Sequence, residues 1–274
     1  MYLLDRWLNE FTSAQRILDL GCGAGSLRAQ LAGLRVTGVD IDPRELARNR
    51  DLPAVCAESH GLPFAAASFD LVVSNHSLEH FRDAAAALRE IRRVLKPDGR
   101  LFVSVPDGAS FSDRLYRLML CGGGHFQRFS FESAVRAVEA GTGLRLAAWK
   151  ELSSSFPFLD RRNFVPAPLG RLPGPFPRRV RWLGRLPRWC FSAARLALNV
   201  GARLADGALR TPLARYGWAF AFAPAPGDGP PVEEPRSRNV CMQCGAAFDR
   251  PPGARIAGLL YRCPHCAQVN VRFS

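Results

Sequence analysis

Short, mainly apolar runs occupy 17–20, 36–39, 69–74 and 101–105, and the stretches between them carry helical periodicity. Over 83–95, for example, Ala84, Leu88, Ile91 and Leu95 share one face. Mainly apolar strands alternating with amphipathic helices imply a parallel sheet covered on both sides. A further helix is expected over Ser133–Ala140, ending before Gly141 and Gly143, and a further strand over Leu144–Leu152. The pattern then breaks: 153–180 is dense in Pro, Phe and Arg. Residues 188–210 read as a helix with Arg188, Arg195, Arg203 and Arg210 along one side, the layout of an amphipathic surface helix. Tyr216–Phe222 is an aromatic, strand-like run, and 224–239 is rich in Pro, Gly and Glu, as a flexible linker would be. Met1–Phe11 has the character of a short amphipathic helix.

The first strand runs directly into Gly21-Cys22-Gly23-Ala24-Gly25, with a helix expected from Ser26. Glycines without Cβ atoms let a ligand reach main-chain N–H groups at a helix N-terminus. A dinucleotide site spaces its glycines G-x-G-x-x-G, but here the third arrives one residue early and Ser26 takes its place, which disfavours NAD. Asp40, nineteen residues beyond Gly21, ends the second strand, where a carboxylate can accept both hydroxyls of a ribose. The two features together describe a nucleoside site. Gly21, Asp40, Asn75 and Pro106 all fall at carboxyl ends of strands, where ligands sit on such sheets.

These residues, with Glu58–Phe64, Ser68–Asn75, Leu78-Glu79-His80 and Arg93–Leu101 in the same order and spacing, resemble the class I S-adenosylmethionine-dependent methyltransferases, in particular the type 11 group of ubiquinone and menaquinone methyltransferases. The resemblance spans residues 14–152 and implies a Rossmann-like sheet, mostly parallel with an antiparallel last strand, the latter assigned to 216–222. It also implies S-adenosylmethionine as cofactor. Asp19 and Gly21–Gly25, including Cys22, Gly23 and Ala24, would hold the methionine portion. Asp40 would hold the ribose, Ile41 one adenine face and Glu58 the adenine amino group, with the Ser59 backbone nearby.

Asn75 and His76 follow the fourth strand, where acceptor and methyl group should meet. An imidazole there suits removal of a proton from a hydroxyl acceptor. His125, in Gly124–Ser130, resembles a loop that covers the acceptor, so His76 and His125 are the candidate catalytic residues. His80 suits a role in orienting the next helix equally well.

Charge changes the picture of the second half. Residues 153–215 hold twelve Arg against Asp160 and Asp206, so most of the formal net charge of +13 is concentrated there. An anionic lipid surface, a phosphorylated or polyprenyl-linked substrate, or RNA would complement it, as would plain solvent. No basic-then-apolar leader and no run of eighteen apolar residues is present, which argues against secretion and a membrane span and sets the expectation of a cytoplasmic protein, with peripheral membrane association a further expectation.

Of eight cysteines, four form two C-x-x-C knuckles, Cys241/Cys244 and Cys263/Cys266. Four thiolates suit a structural, tetrahedral Zn²⁺, with iron in a rubredoxin-like site, of similar spacing, as the second choice, and so short a tail needs such a staple to fold. The tail resembles a zinc ribbon, with strands around Leu259–Arg262 and Gln268–Phe273.

The sequence therefore predicts an α/β methyltransferase domain over 1–152 plus 216–223, a helical basic insertion over 153–215, a linker over 224–239 and a zinc ribbon over 240–274. The expected acceptor is a small molecule, lipid or glycan. The rival readings are an RNA or protein methyltransferase, since a zinc module on a methyltransferase resembles enzymes acting on ribosomal RNA, and a non-catalytic zinc-dependent adaptor.

Overall fold

The structure, a computed structural model, describes residues 8, 10, 11, 15–25, 33–49, 52–120, 124–153, 156, 159, 178–209, 212–224, 229–234, 239–240, 247–248, 260–263 and 269–271. Most of the expected N-terminal helix, the helix expected from Ser26, and Cys241, Cys244 and Cys266 lie outside the described residues.

The chain divides into two compact units. The first comprises 1–107, 125–151 and 218–235. Its strands are β1 (Arg16–Leu20), β2 (Arg35–Asp40), β3 (Ala54–Cys56), β4 (Phe69–Asn75), β5 (Leu95–Pro106), β6 (Arg145–Ser153), β7 (Arg215–Ala223) and β8 (Val232–Glu234). They form one eight-stranded sheet in the order β3-β2-β1-β4-β5-β7-β6-β8. β1 pairs parallel with both β2 and β4, so the order reverses at β1 and a crevice opens beyond its carboxyl end. The sheet is mostly parallel with one antiparallel region.

Burial accounts for the sequence pattern. Ile17, Leu18, Leu71, Val72 and Val73 are fully covered, as the central strands of such a sheet must be. Helix α1 (Pro43–Leu46) is a single turn, N-capped by Asp42, whose carboxylate accepts from Arg44 N at 2.8 Å. Helix α2 (Ala84–Val94) begins at Asp83, whose side chain accepts from Ala86 N at 2.8 Å, and buries Ala87, Leu88, Ile91 and Val94. The buried stripe is centred a little away from Ala84, which is only partly covered.

Asp70 fastens the lower end of the sheet. It accepts from Arg16 N at 2.8 Å and pairs with Lys96 Nζ at 2.6 Å, tying β1, β4 and β5 together and holding its carboxyl below the usual range. Arg93 of α2 donates to the carbonyls of Phe64 (2.6 Å) and Leu62 (2.9 Å), while Glu90 accepts from Leu62 N at 2.9 Å. That network holds the loop that leaves β3.

Two expectations are corrected here, and one strand is added. Helix α4 (Phe131–Thr142) runs through Gly141 and ends at Gly143, which takes a left-handed conformation (φ 72°) and donates to the Glu139 carbonyl. Gly141 belongs inside the helix because a Cβ there would stand 2.6 Å from Leu88 Cβ, so its absence lets α4 close on α2. The stretch 224–239 is not all linker: β8 lies within it and pairs parallel with β6, Ala148 opposite Val232. β3 is a strand that the hydrophobic pattern did not predict, since its three residues are all at least partly exposed.

The second unit comprises 108–124, 152–217 and 236–274. It contains α3 (Phe111–Leu120), a 3₁₀ segment over Arg178–Arg185 and the long α5 (Arg188–Leu209). Phe156, Leu159 and Phe191 form its small apolar cluster, with Leu115, Tyr116, Leu183 and Leu198 against it. Two short antiparallel hairpins complete it. β9 (Asn239–Val240) pairs with β10 (Ala247–Phe248), and β11 (Leu260–Arg262) with β12 (Val269–Val271).

The arginine face predicted for α5 is also corrected. Arg195 is 7% exposed and Asn199, one turn on, 3%, whereas Trp189, Leu196 and Leu204 face solvent. Asn199 Nδ2 donates to the Arg195 carbonyl at 2.8 Å and Arg203 Nη1 donates to Asn199 Oδ1 at 2.7 Å. The polar side of this helix is the packed side.

Candidate functional site

The crevice at the carboxyl ends of β1, β2 and β4 brings together residues far apart in the sequence. β1 delivers Asp19 and then Gly21, Gly23 and Gly25, with φ of 78°, 52° and 82°. Gly21 N and Cys22 N both donate to the Val39 carbonyl, folding the turn back onto β2. There Asp40 meets it: Oδ2 accepts from Gly23 N at 2.8 Å, and Oδ1 from Asp42 N at 2.9 Å. Asp40 thus shapes the glycine turn, and each oxygen keeps a second lone pair for a ligand hydroxyl.

Asp19 is 2% exposed, and its Oδ2 has no hydrogen-bond partner among the described residues. Burial, with the Asp40 charge nearby, pushes its carboxyl up to about 7. A buried carboxylate in that condition calls for a cation or a donor. The same burial, with Asp19 and Asp40 close, pushes the Cys22 thiol up to about 12, so Cys22 is a protonated packing residue and no nucleophile.

Around this centre Ile41 is 63% exposed, an aliphatic side chain presented to solvent directly after Asp40. Glu58 is exposed and pairs with His60 Nε2 at 2.8 Å, and Ser59 is half-buried on the same loop. Asn75 Oδ1 accepts from Ser104 Oγ at 2.8 Å, joining the ends of β4 and β5.

His76 follows with a positive φ of 53°, uncommon for a side chain of its size, and its N–H donates to the Ser104 carbonyl at 3.0 Å. Desolvation of the ring, reinforced by the His125 and His80 imidazoles, lowers its pKa and keeps it neutral, although a third of the side chain still meets solvent. The four residues His76, Glu79, His80 and His125 converge. His76 Nδ1 lies 4.0 Å from Glu79 Oε1, and the His80 and His125 rings meet edge to face at 4.7 Å between centroids. The Glu79 carbonyl accepts from Phe126 N and Gln127 N, at 2.9 and 3.0 Å, which fixes the loop bearing His125.

Glu79, 1% exposed, is the residue that sequence reasoning passed over. Its signal was its place between His80 and the strand-end His76 in the Leu-Glu-His motif. Ligand atoms of Glu79, His80 and His125 lie within 4.8 Å of one another, against roughly 3.4 Å between ligands of a tetrahedral ion held at about 2.1 Å. The trio would have to draw together to bind a cation. A surface hollow lined by Phe11, Asp70, Asp98 and Arg100 lies at the opposite, amino ends of the strands and contains none of these groups.

The class of fold follows from comparison with known proteins. Residues 18–103 match the family model described as a methyltransferase domain. A putative methyltransferase from an antibiotic biosynthesis pathway of Anabaena variabilis superposes with a TM-score of 0.54 at 15% identity, over 81% of this chain and 96% of that one. The fold is the class I methyltransferase fold.

Among curated proteins, the demethylmenaquinone methyltransferase of Corynebacterium kroppenstedtii is 41% identical over 93 residues, 32% of this chain and 41% of its own length. The chain spans between 31 and 48% of the length of the first curated relatives it matches. The [4+2]-cyclase SpnF superposes equally well, with a TM-score of 0.52 at 17% identity, over 84% of this chain and 80% of that one. The fold by itself therefore does not fix the reaction.

Proposed function

We propose that this chain is an S-adenosylmethionine-dependent methyltransferase acting on a small-molecule, lipid or glycan acceptor. The observation that carries the reading is the buried Asp19 carboxylate, short of a partner, beside a turn of three left-handed glycines and above Asp40. These residues fit the cofactor. Its α-ammonium would satisfy Asp19, its ribose hydroxyls the free lone pairs of Asp40, and its adenine the exposed face of Ile41. When bound, the cofactor supplies a methyl group made electrophilic by the sulfonium.

The chain's own task is to position an acceptor, exclude water and accept a proton where the acceptor carries one. Alignment of this kind is worth roughly 7–11 kcal/mol of a barrier. Neutral His76 presents a ring nitrogen to an acceptor hydroxyl, and Glu79 Oε1 lies 4.0 Å from its Nδ1, the carboxylate placed to take part in moving that proton. An unchanged single-turnover rate in His76→Ala would remove it from this role.

The cysteine tail supports a structural zinc reading. In sequence Cys241 and Cys244 fall between β9 and β10, and Cys263 and Cys266 between β11 and β12, one C-x-x-C pair for each pair of strands. Cys263, at 1% exposure, is the described member of the set. With four protein thiolates the ion would have no open position for a substrate.

The test of the cofactor reading is calorimetric titration of the full chain with S-adenosylhomocysteine. Asp40→Asn, which retains an acceptor oxygen for the turn, serves beside Asp40→Ala as control. Micromolar binding weakened in both variants supports the reading. A folded chain that takes up no S-adenosylhomocysteine or S-adenosylmethionine would overturn it and favour the adaptor.

A further inference from the structure

Helix α5 is built inside out. It runs 22 residues, about 33 Å at 1.5 Å per residue. At 100° per residue, Trp189, Ala193, Leu196, Ala197, Leu204 and Ala208 fall within an arc of roughly 120°. Every one of them is exposed, Trp189 at 69% and Leu204 at 63%, and no charged residue falls inside the arc. The charged and amide groups, Arg195, Asn199 and Asp206, lie on the other side, where Phe191 and Ala202 are buried. A helix face meeting only water would be polar, because leaving a contiguous stripe of Trp and Leu in water is unfavourable.

The 3₁₀ segment Arg178–Arg185 leads directly into this helix and, with Arg188, supplies five arginines, while Trp182 is 57% exposed. Arg185 and Arg188 both face solvent. An apolar stripe, tryptophans at one end and a cationic run beside them are complementary to the boundary between lipid headgroups and acyl chains. A protein groove would match the stripe but gives no reason for the arginines. Among the described residues no helix is long and apolar enough to cross a membrane, so the helix would lie along the surface.

We propose that α5 and the preceding 178–188 segment form an interfacial docking element for an anionic lipid bilayer, with the Trp189–Leu204 face inserted and the exposed Arg185 and Arg188 on the headgroups. The proposal does not depend on methyl transfer or on the zinc reading.

The test is co-sedimentation of the full chain with phosphatidylglycerol/phosphatidylcholine vesicles and with phosphatidylcholine alone, at physiological salt. Anionic vesicles should bind the protein about tenfold more tightly than neutral ones, or better. Tryptophan emission should shift to the blue and be quenched by brominated lipid. Leu196→Glu/Leu204→Glu should lower anionic-vesicle affinity about tenfold or more, with circular dichroism and melting unchanged. Because both leucines already face water, the variant tests the surface and leaves the core intact. Failure of anionic vesicles to bind, or undiminished binding by the double variant, would overturn the proposal. So would a concentration-dependent dimer that the double variant dissolves, because the face would then belong to a second copy.

Discussion

The Cβ of Ser77 stands 2.4 Å from the point where a side chain on Gly21 would begin. β1 and the loop after β4 meet at that distance because Gly21 has none, and Ser77 Oγ closes the contact by donating to the Leu20 carbonyl at 2.8 Å. The floor of the crevice is therefore the Ser77 side chain packed directly on the Gly21 main chain.

Gly21→Ala should destabilise the protein by about 1–3 kcal/mol, combining a left-handed backbone with this clash. Adding Ser77→Gly should recover only part of the loss, since φ at residue 21 remains positive. Urea unfolding of the single and double variants measures both. Full recovery would mean that backbone strain contributes nothing.

Asp19 couples the site to pH. Its carboxyl is pushed from 3.8 to about 7, so the folded chain holds a proton that the unfolded chain releases. The resulting cost to stability grows as pH rises between those values and is complete above about 7. Asp19→Asn should therefore raise the melting temperature, by an amount larger at pH 8 than at pH 5, equivalent to on the order of 2 kcal/mol at the higher pH. The same variant should bind S-adenosylhomocysteine weakly. In the parent protein, affinity should fall by up to about tenfold per pH unit below 7, as protonation removes the ammonium's partner. An affinity independent of pH between 5 and 8 would disconnect Asp19 from the cofactor.

Gly141 offers a test in which helix propensity and packing oppose each other. Ala is favoured over Gly inside a helix by about 1 kcal/mol, yet a Cβ at 141 would meet Leu88 Cβ at 2.6 Å. Gly141→Ala should be net destabilising by about 1–2 kcal/mol, with cofactor affinity retained. A gain in stability would show that α2 and α4 separate without cost.

The arginines of α5 should separate by burial and not by charge. Arg195→Ala should cost about 1–3 kcal/mol, and Arg188→Ala no more than about 0.5 kcal/mol. Thermal melts of the two variants, read against each other, decide this. Equal effects would contradict the inward placement of Arg195.

Metal removal tests the tail. A tightly bound zinc, close to one per chain and lost in Cys263→Ser, should accompany the purified protein, and a chelator should change the circular dichroism of the hairpins while leaving S-adenosylhomocysteine binding in place. A metal-free chain with the same spectrum would overturn the ribbon.

What the sequence determined by itself was whatever depends on local chain chemistry and on hydrophobic period. β1, β2, β4 and α2 were legible because each is a mainly apolar, mostly buried run or a 3.6-residue stripe. The glycine turn was legible because only glycine tolerates three left-handed positions in five residues, and Asp40 because it ends a strand at the right distance from that turn. Tertiary structure decided whatever depends on which neighbour a residue meets. β3 and β8 are short, exposed pieces whose only reason to be strands is the sheet edge beside them. Gly141 looked like a helix terminator until Leu88 proved to be packed against it. Glu79 gained its importance from three imidazoles drawn together by loop 124–127, a convergence no local spacing encodes. For α5 the periodicity correctly separated an arginine side from an apolar side, but not which of them faced inward. That choice depends on the partners each side finds, and Asn199 and the Phe191 cluster provided them for the arginines' side, leaving the leucines in water.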